Sequence, residues 1–97
     1  MKTIPIREIT PTSSEPKISQ TFRIREVATI LGGKDMLQDT HRHNFFFVLV
    51  LKEGKGNHII DFVPHKVGNN CVFIMRPGQV HQLELKAGST GYLMEFN

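Results

Sequence analysis

Three histidines carry most of the chemistry this sequence could perform. His41 and His43 stand two residues apart at the head of the run His41-Arg42-His43-Asn44-Phe45-Phe46-Phe47-Val48-Leu49-Val50-Leu51, and His81 follows the turn signal Pro77-Gly78-Gln79-Val80. Residues i and i+2 of a β-strand project to the same face, so His41 and His43 can offer two ring nitrogens to one point. A third imidazole from a neighbouring strand would complete a set able to hold a divalent ion, with metal–nitrogen bonds of about 2.0–2.1 Å for zinc. Mononuclear sites of this kind usually also want a carboxylate. The position that would present one to these histidines is occupied by Phe47, which is inert. The bland reading has His41 and His43 marking the polar start of an apolar strand, with His81 hydrogen-bonded beside a turn. His58 and His65 are read as surface or rim residues.

Other routes to catalysis are poorly supplied. Cys71 lies in the apolar run Cys71-Val72-Phe73-Ile74-Met75 without an adjacent activating charge. Ser13, Ser14 and Ser89 have no nucleophile-elbow context. Asp61, between Ile60 and Phe62, is read as solvated or paired across strands.

The elements that must position the histidines are strands. The run from His41 to Leu51 is short, aromatic and β-branched, and Gly54 and Gly56 bound it, which favours a central strand over a helix. One face would carry His41, His43, Phe45, Phe47, Leu49 and Leu51. The other would carry Phe46, Val48 and Val50, which are also apolar and also need cover. Phe22 to Val27 alternates as a strand, whereas Ala28-Thr29-Ile30-Leu31 before Gly32-Gly33 is compatible with one helical turn. Asn57 to Phe62 is the expected returning strand, with His58, Ile60 and Phe62 on one face and Pro64 ending it. Strands are also expected over Cys71–Met75, Gln82–Lys86 and Gly91–Phe96, separated by turn signals. Short strands at this spacing favour an all-β sandwich or barrel. Residues 1–20, with Pro5, Pro11 and Pro16, read as an extended arm.

The totals bound the answer. A chain of 97 residues makes one small domain, burying about 60–65% of the surface its unfolded chain exposes. A mean hydropathy of −0.20 and 22% charged residues describe an ordinary globular protein. No apolar run reaches the ~18–20 residues of a membrane span, no signal peptide is evident, and the single cysteine excludes an internal disulfide; the cytoplasm is the expected compartment. The net charge of +3 comes from dispersed basic residues that form no stripe or recognition helix, so specific DNA binding by this chain is not expected.

Two motifs then resemble a known family. Gly33, His41-x-His43, Phe47 and Gly54 resemble the first cupin motif, with Phe47 where that motif has a glutamate and Gly33 two residues further upstream than usual. Pro77-Gly78-Gln79-Val80-His81 resembles the second, slightly contracted. More closely, His41-Arg42-His43-Asn44-Phe45-Phe46, Gly56-Asn57-His58-Ile59-Ile60-Asp61-Phe62 and Met75-Arg76-Pro77-Gly78-Gln79-Val80-His81-Gln82 resemble the N-terminal sensing domain of AraC-type transcription regulators, over most of residues 22–97.

The resemblance implies a cupin-type double-stranded β-helix, a jelly-roll barrel with an N-terminal arm that can fold across a pocket. It also implies a small-molecule effector, with a sugar among the candidates, homodimerisation, and a DNA-binding half that this chain does not contain. The barrel domain, residues 21–97, is accordingly expected to be truncated at its C-terminal end. By the alternation, a pocket would be lined by His41, His43, Phe45, Phe47, Phe73, His81, Leu83, Met94 and Phe96. No catalysis, cofactor or metal is expected. The alternative is a metal-dependent cupin enzyme using His41, His43 and His81.

Overall fold

The computed structural model describes Ile4, Ile6, Arg7 and residues 22–97. The strands are β1 (Ile6–Arg7), β2 (Phe22–Glu26), β3 (Met36–Leu37), β4 (His41–His43), β5 (Phe46–Glu53), β6 (Gly56–Ile60), β7 (Val63–Val67), β8 (Cys71–Met75), β9 (Val80–Leu85) and β10 (Thr90–Phe96). One helix, α1 (Val27–Leu31), interrupts them. The expected arm, residues 1–20, lies outside the described residues apart from Ile4 and β1. No described helix is long and apolar enough to cross a membrane.

The strands form two sheets. One has the order β1-β4-β9-β6-β7 with β3 also on β9, and the other runs β2-β10-β5-β8. Every pairing is antiparallel except β1 on β4. The inner faces share one core. Phe47, Leu49 and Leu51 of β5, Met75 of β8 and Leu93 of β10 come from one sheet, and Leu83 and Leu85 of β9 and Val67 of β7 from the other. Helix α1 adds Val27 and Leu31, one turn apart on the same side. Gly32 ends it in the left-handed conformation, φ 59°, where glycine carries no steric penalty.

The expected central strand is two strands. It breaks at Asn44–Phe45, so β4 belongs to one sheet and β5 to the other. The alternation survives the corner because both sheets face the same interior: 41, 43, 45, 47, 49 and 51 are all buried.

Two stretches differ from the sequence reading. The hairpin after β6 turns at Asp61–Phe62, both with positive φ (48° and 67°), and the chain returns as β7 through Pro64. Phe62 is therefore at an exposed turn, not on the inner face with His58. Pro64 does not end a strand, because β7 is the sheet edge and an edge position tolerates a missing N–H. In β10, the register shifts at Thr90/Gly91, and this sets the phase of the strand from Tyr92 onward. Gly91, at φ 147°, lies so close to Val50 that a Cβ would collide with its carbonyl oxygen. Leu93 and Glu95 then face inward, and Met94 and Phe96 face outward.

Outward rows cross the second sheet in register. Phe22, Phe96 and Phe46 form one, with ring centroids 6.5 and 5.2 Å apart. Ile24, Met94, Val48 and Ile74 form the next, and Tyr92, Val50 and Val72 the third. Ile74 is 70% exposed.

Candidate functional site

The site is built where β4, β9 and β6 lie side by side. His41 pairs with His81 in register, and β9 continues on its far side into β6, where His58 opposes Leu83. Turn chemistry fixes His81. Asp61 Oδ1 accepts from the Val80 amide (3.0 Å), and Oδ2 accepts from Gln79 Nε2 (2.9 Å). Gln79 Oε1 in turn accepts from the Arg76 amide at 2.8 Å, and the Gly78 amide donates to the His43 carbonyl at 2.8 Å. These bonds hold the Asp61 carboxyl below the usual carboxylate range, with Gln79 the largest cause and the Val80 amide next. Asp61 thus clamps the Pro77–Gly78 turn to the β6–β7 hairpin.

Four imidazoles meet in the interior. His41 and His58 are 0% exposed, His81 1% and His43 6%. The Nε2 atoms of His41, His43 and His81 converge: 2.9 Å for His41–His43, 3.0 Å for His41–His81 and 3.3 Å for His43–His81. His41 Nδ1 lies 2.6 Å from the Asp39 carbonyl oxygen. A carbonyl can only accept, so Nδ1 carries the proton and Nε2 turns its lone pair toward the cluster.

His58, a rim residue by the sequence reading, is instead buried, with its Nε2 2.7 Å from His81 Nδ1. Burial lowers its pKa to about 4 from 6.5, with smaller contributions from His65 and His41. The sequence holds a signal for this, since His58 alternates with Ile60 on the inner face; histidine's polarity argues the other way. His65 is exposed, as expected.

The aromatic wall is in place. Phe45 stacks on His43 (4.4 Å, 19°), and Phe47 lies 5.2 Å from both His43 and His81. Leu83 is buried in the core and half-buried Phe73 packs against it, with the Phe73 ring 4.7 Å from His58. Met94 and Phe96 are not part of this constellation. The bulge at Gly91 puts them on the outer face, where Phe96 stacks on Phe46.

Their place on the inner face goes to Leu93 and Glu95, the latter directly across from Phe47. Glu95 is 4% exposed, and its Oε1 accepts from Arg23 Nε (3.0 Å) and Arg25 Nη2 (3.1 Å) on β2. The interior therefore holds a carboxylate, but two guanidinium groups already use it.

Among the described residues, His41, His43 and His81 form the set that could hold a metal, their ligand atoms lying within 4.8 Å of one another. On separations alone they suit one divalent ion with bonds of about 2.0–2.1 Å. Phe47, at the place of a fourth protein ligand, offers none.

Comparison with known proteins places the chain. A family model described as AraC-like ligand binding domain matches residues 30–97. No curated protein matches the chain. Among solved structures, a cupin protein from Bacteroides fragilis superposes with a TM-score of 0.53 at 14% identity, covering 100% of this chain and 86% of that one. That likeness concerns the fold, which is the two-sheet cupin fold.

Proposed function

The chain belongs to the AraC-like ligand binding domain family, and from that premise we propose that it is the effector-sensing and dimerisation module of an AraC-type transcriptional regulator. It binds a small molecule between its two sheets, in the cytoplasm, and performs no chemistry on it. The observation that carries this reading is the coincidence of the family match, residues 30–97, with the buried constellation of His41, His43, Phe45, Phe47, His81 and Leu83. Aromatic faces would stack on the ligand, and imidazole nitrogens would orient its hydroxyl or carboxylate groups. A sugar is one candidate class. These side chains pack against one another, and an effector would be held among them.

Dimerisation is assigned to the outward face of the β2-β10-β5-β8 sheet. Its three apolar rows are contiguous, and contiguous apolar surface on this scale marks an interaction site.

Thermal denaturation in the presence of monosaccharides and small carboxylic acids tests the sensing role. A ligand present at 100 times its Kd adds about 2.7 kcal/mol, a rise of roughly 10 °C or more for a domain this size. The expected rise disappears in His43→Ala/Phe47→Ala. A rise that persists in that variant places the ligand elsewhere and contradicts the proposal.

A second reading, a metal-dependent cupin enzyme, has one observation in its favour: the convergent Nε2 atoms of His41, His43 and His81. Elemental analysis of untagged protein tests it. One transition metal per chain, lost in His41→Ala/His43→Ala, would favour the enzyme.

A further inference from the structure

We propose that His58 is a positioning residue that holds His81 as its Nε2–H tautomer, closing the three-nitrogen cluster with hydrogen bonds and against divalent metals. The inference rests on the non-catalytic reading of the same site.

The bond between His58 Nε2 and His81 Nδ1, at 2.7 Å, admits two arrangements of protons. A neutral imidazole carries one N–H, and burial favours that form at His58. In the first, His58 Nε2–H donates to His81 Nδ1. The His81 proton is then on Nε2, 3.0 Å from His41 Nε2. His41 Nε2 is a bare acceptor there, because its Nδ1–H is committed to the Asp39 carbonyl. The chain of donors runs His58, His81, His41, Asp39, with His43 Nε2 also within reach of His41 Nε2 (2.9 Å) and His81 Nε2 (3.3 Å), and His58 Nδ1 ends it as a bare acceptor.

In the second arrangement His81 Nδ1–H donates to His58 Nε2, and the His58 proton moves to Nδ1. That atom is buried and has no hydrogen-bond partner among the described residues. A buried N–H without an acceptor is rarer and costlier than an unused lone pair. His81 Nε2 would also face His41 Nε2 lone pair to lone pair.

The first arrangement is therefore the ground state, and it has a consequence for ligands. A metal on the three nitrogens needs a lone pair at His81 Nε2, which only the second arrangement supplies. Reaching it shifts the bridging proton from His58 to His81 Nδ1, releases the His81 Nε2 proton to solvent and takes one from solvent at His58 Nδ1, with no net change in proton count. In the ground state, His81 instead presents a donor beside the His41 acceptor.

The test uses the full chain. Long-range ¹H–¹⁵N spectra at pH 7.5 read the His81 tautomer directly, without a ligand or a variant. Protonation at Nε2 is expected; protonation at Nδ1 overturns the proposal. Zinc titration against a chromophoric chelator supplies the second arm. His58→Glu places an acceptor-only group beside His81 Nδ1, draws the proton there and frees Nε2. Zinc affinity should rise 10–100-fold, the range by which groups behind a ligand tune a metal. His65→Glu adds the same charge at the position opposite His58 on β7, and should give a clearly smaller rise. Equal affinity in wild type and His58→Glu, or an equal gain in His65→Glu, overturns the proposal. Because the tautomer is read without a ligand, this proposal and the sensing proposal fail independently.

Discussion

Acid should destabilise this fold before its carboxylates are titrated, and His58 is one source of the effect that can be isolated. Its pKa is about 4 in the folded protein against 6.5 ordinarily, chiefly because burial penalises the charged ring. The unfolded chain therefore binds a proton that the folded chain refuses between those two values, and stability rises with pH across that window. The contribution is whole above about pH 6.5 and is lost progressively as the pH falls toward 4. A difference of this size corresponds to about 3 kcal/mol, a large share of the ~5–15 kcal/mol typical of a domain.

Urea denaturation at pH 7.5, 6.0, 5.0 and 4.2 in the presence of a chelator measures it. Far-UV circular dichroism is the probe, since the chain has no tryptophan and one tyrosine. His58→Gln removes the titrating group and retains Asp61 and Glu84, whose pKa values are also lowered, so their contributions cancel in the difference. Wild type should lose about 3 kcal/mol more than the variant between pH 7.5 and 4.2. Parallel curves for the two proteins would refute the reasoning.

Packing and charge give three further expected outcomes. Leu49→Ala removes a side chain that is 1% exposed in the shared core and should cost about 2–5 kcal/mol in urea denaturation. Glu95→Ala removes the acceptor that Arg23 and Arg25 share, and should cost about 1–3 kcal/mol; a loss under 0.5 kcal/mol would show that the two arginines, both of which reach solvent, are solvated equally well without it. Val48→Thr/Ile74→Thr makes the middle outward row more polar while keeping strand propensity. By sedimentation, it should convert a wild-type dimer at ~100 μM, above the range of ordinary weak complexes, to monomer; a monomeric wild type would contradict the assignment of that face.

Much of the architecture was legible because alternation is a local signal. The parity of residues 41–51 survives even though the chain changes sheets at Asn44–Phe45, since both sheets bury the same side of the run. The Pro77–Gly78 turn and its histidine were equally plain. What escaped depended on partners distant in sequence. Glu95 looks like a solvent residue until Arg23 and Arg25, some 70 residues earlier, are seen to satisfy it. With Glu95 taken as outward, Met94 and Phe96 appear to face the pocket, one residue out of phase. Pro64 reads as a terminator unless β7 is known to be an edge. His58 reads as a rim residue until His81 is seen at 2.7 Å.

The central claim is that a small molecule binds between the sheets at the imidazole cluster. Methyl and histidine-ring chemical-shift mapping during titration with a broad library of small polar and aromatic compounds tests it most directly. Saturable shifts should centre on His41, His43, His81, Leu83 and Leu49, with Ile74 and Val72 on the outer face unmoved. Binders that shift only the outer face, with the cluster silent throughout, would contradict the claim.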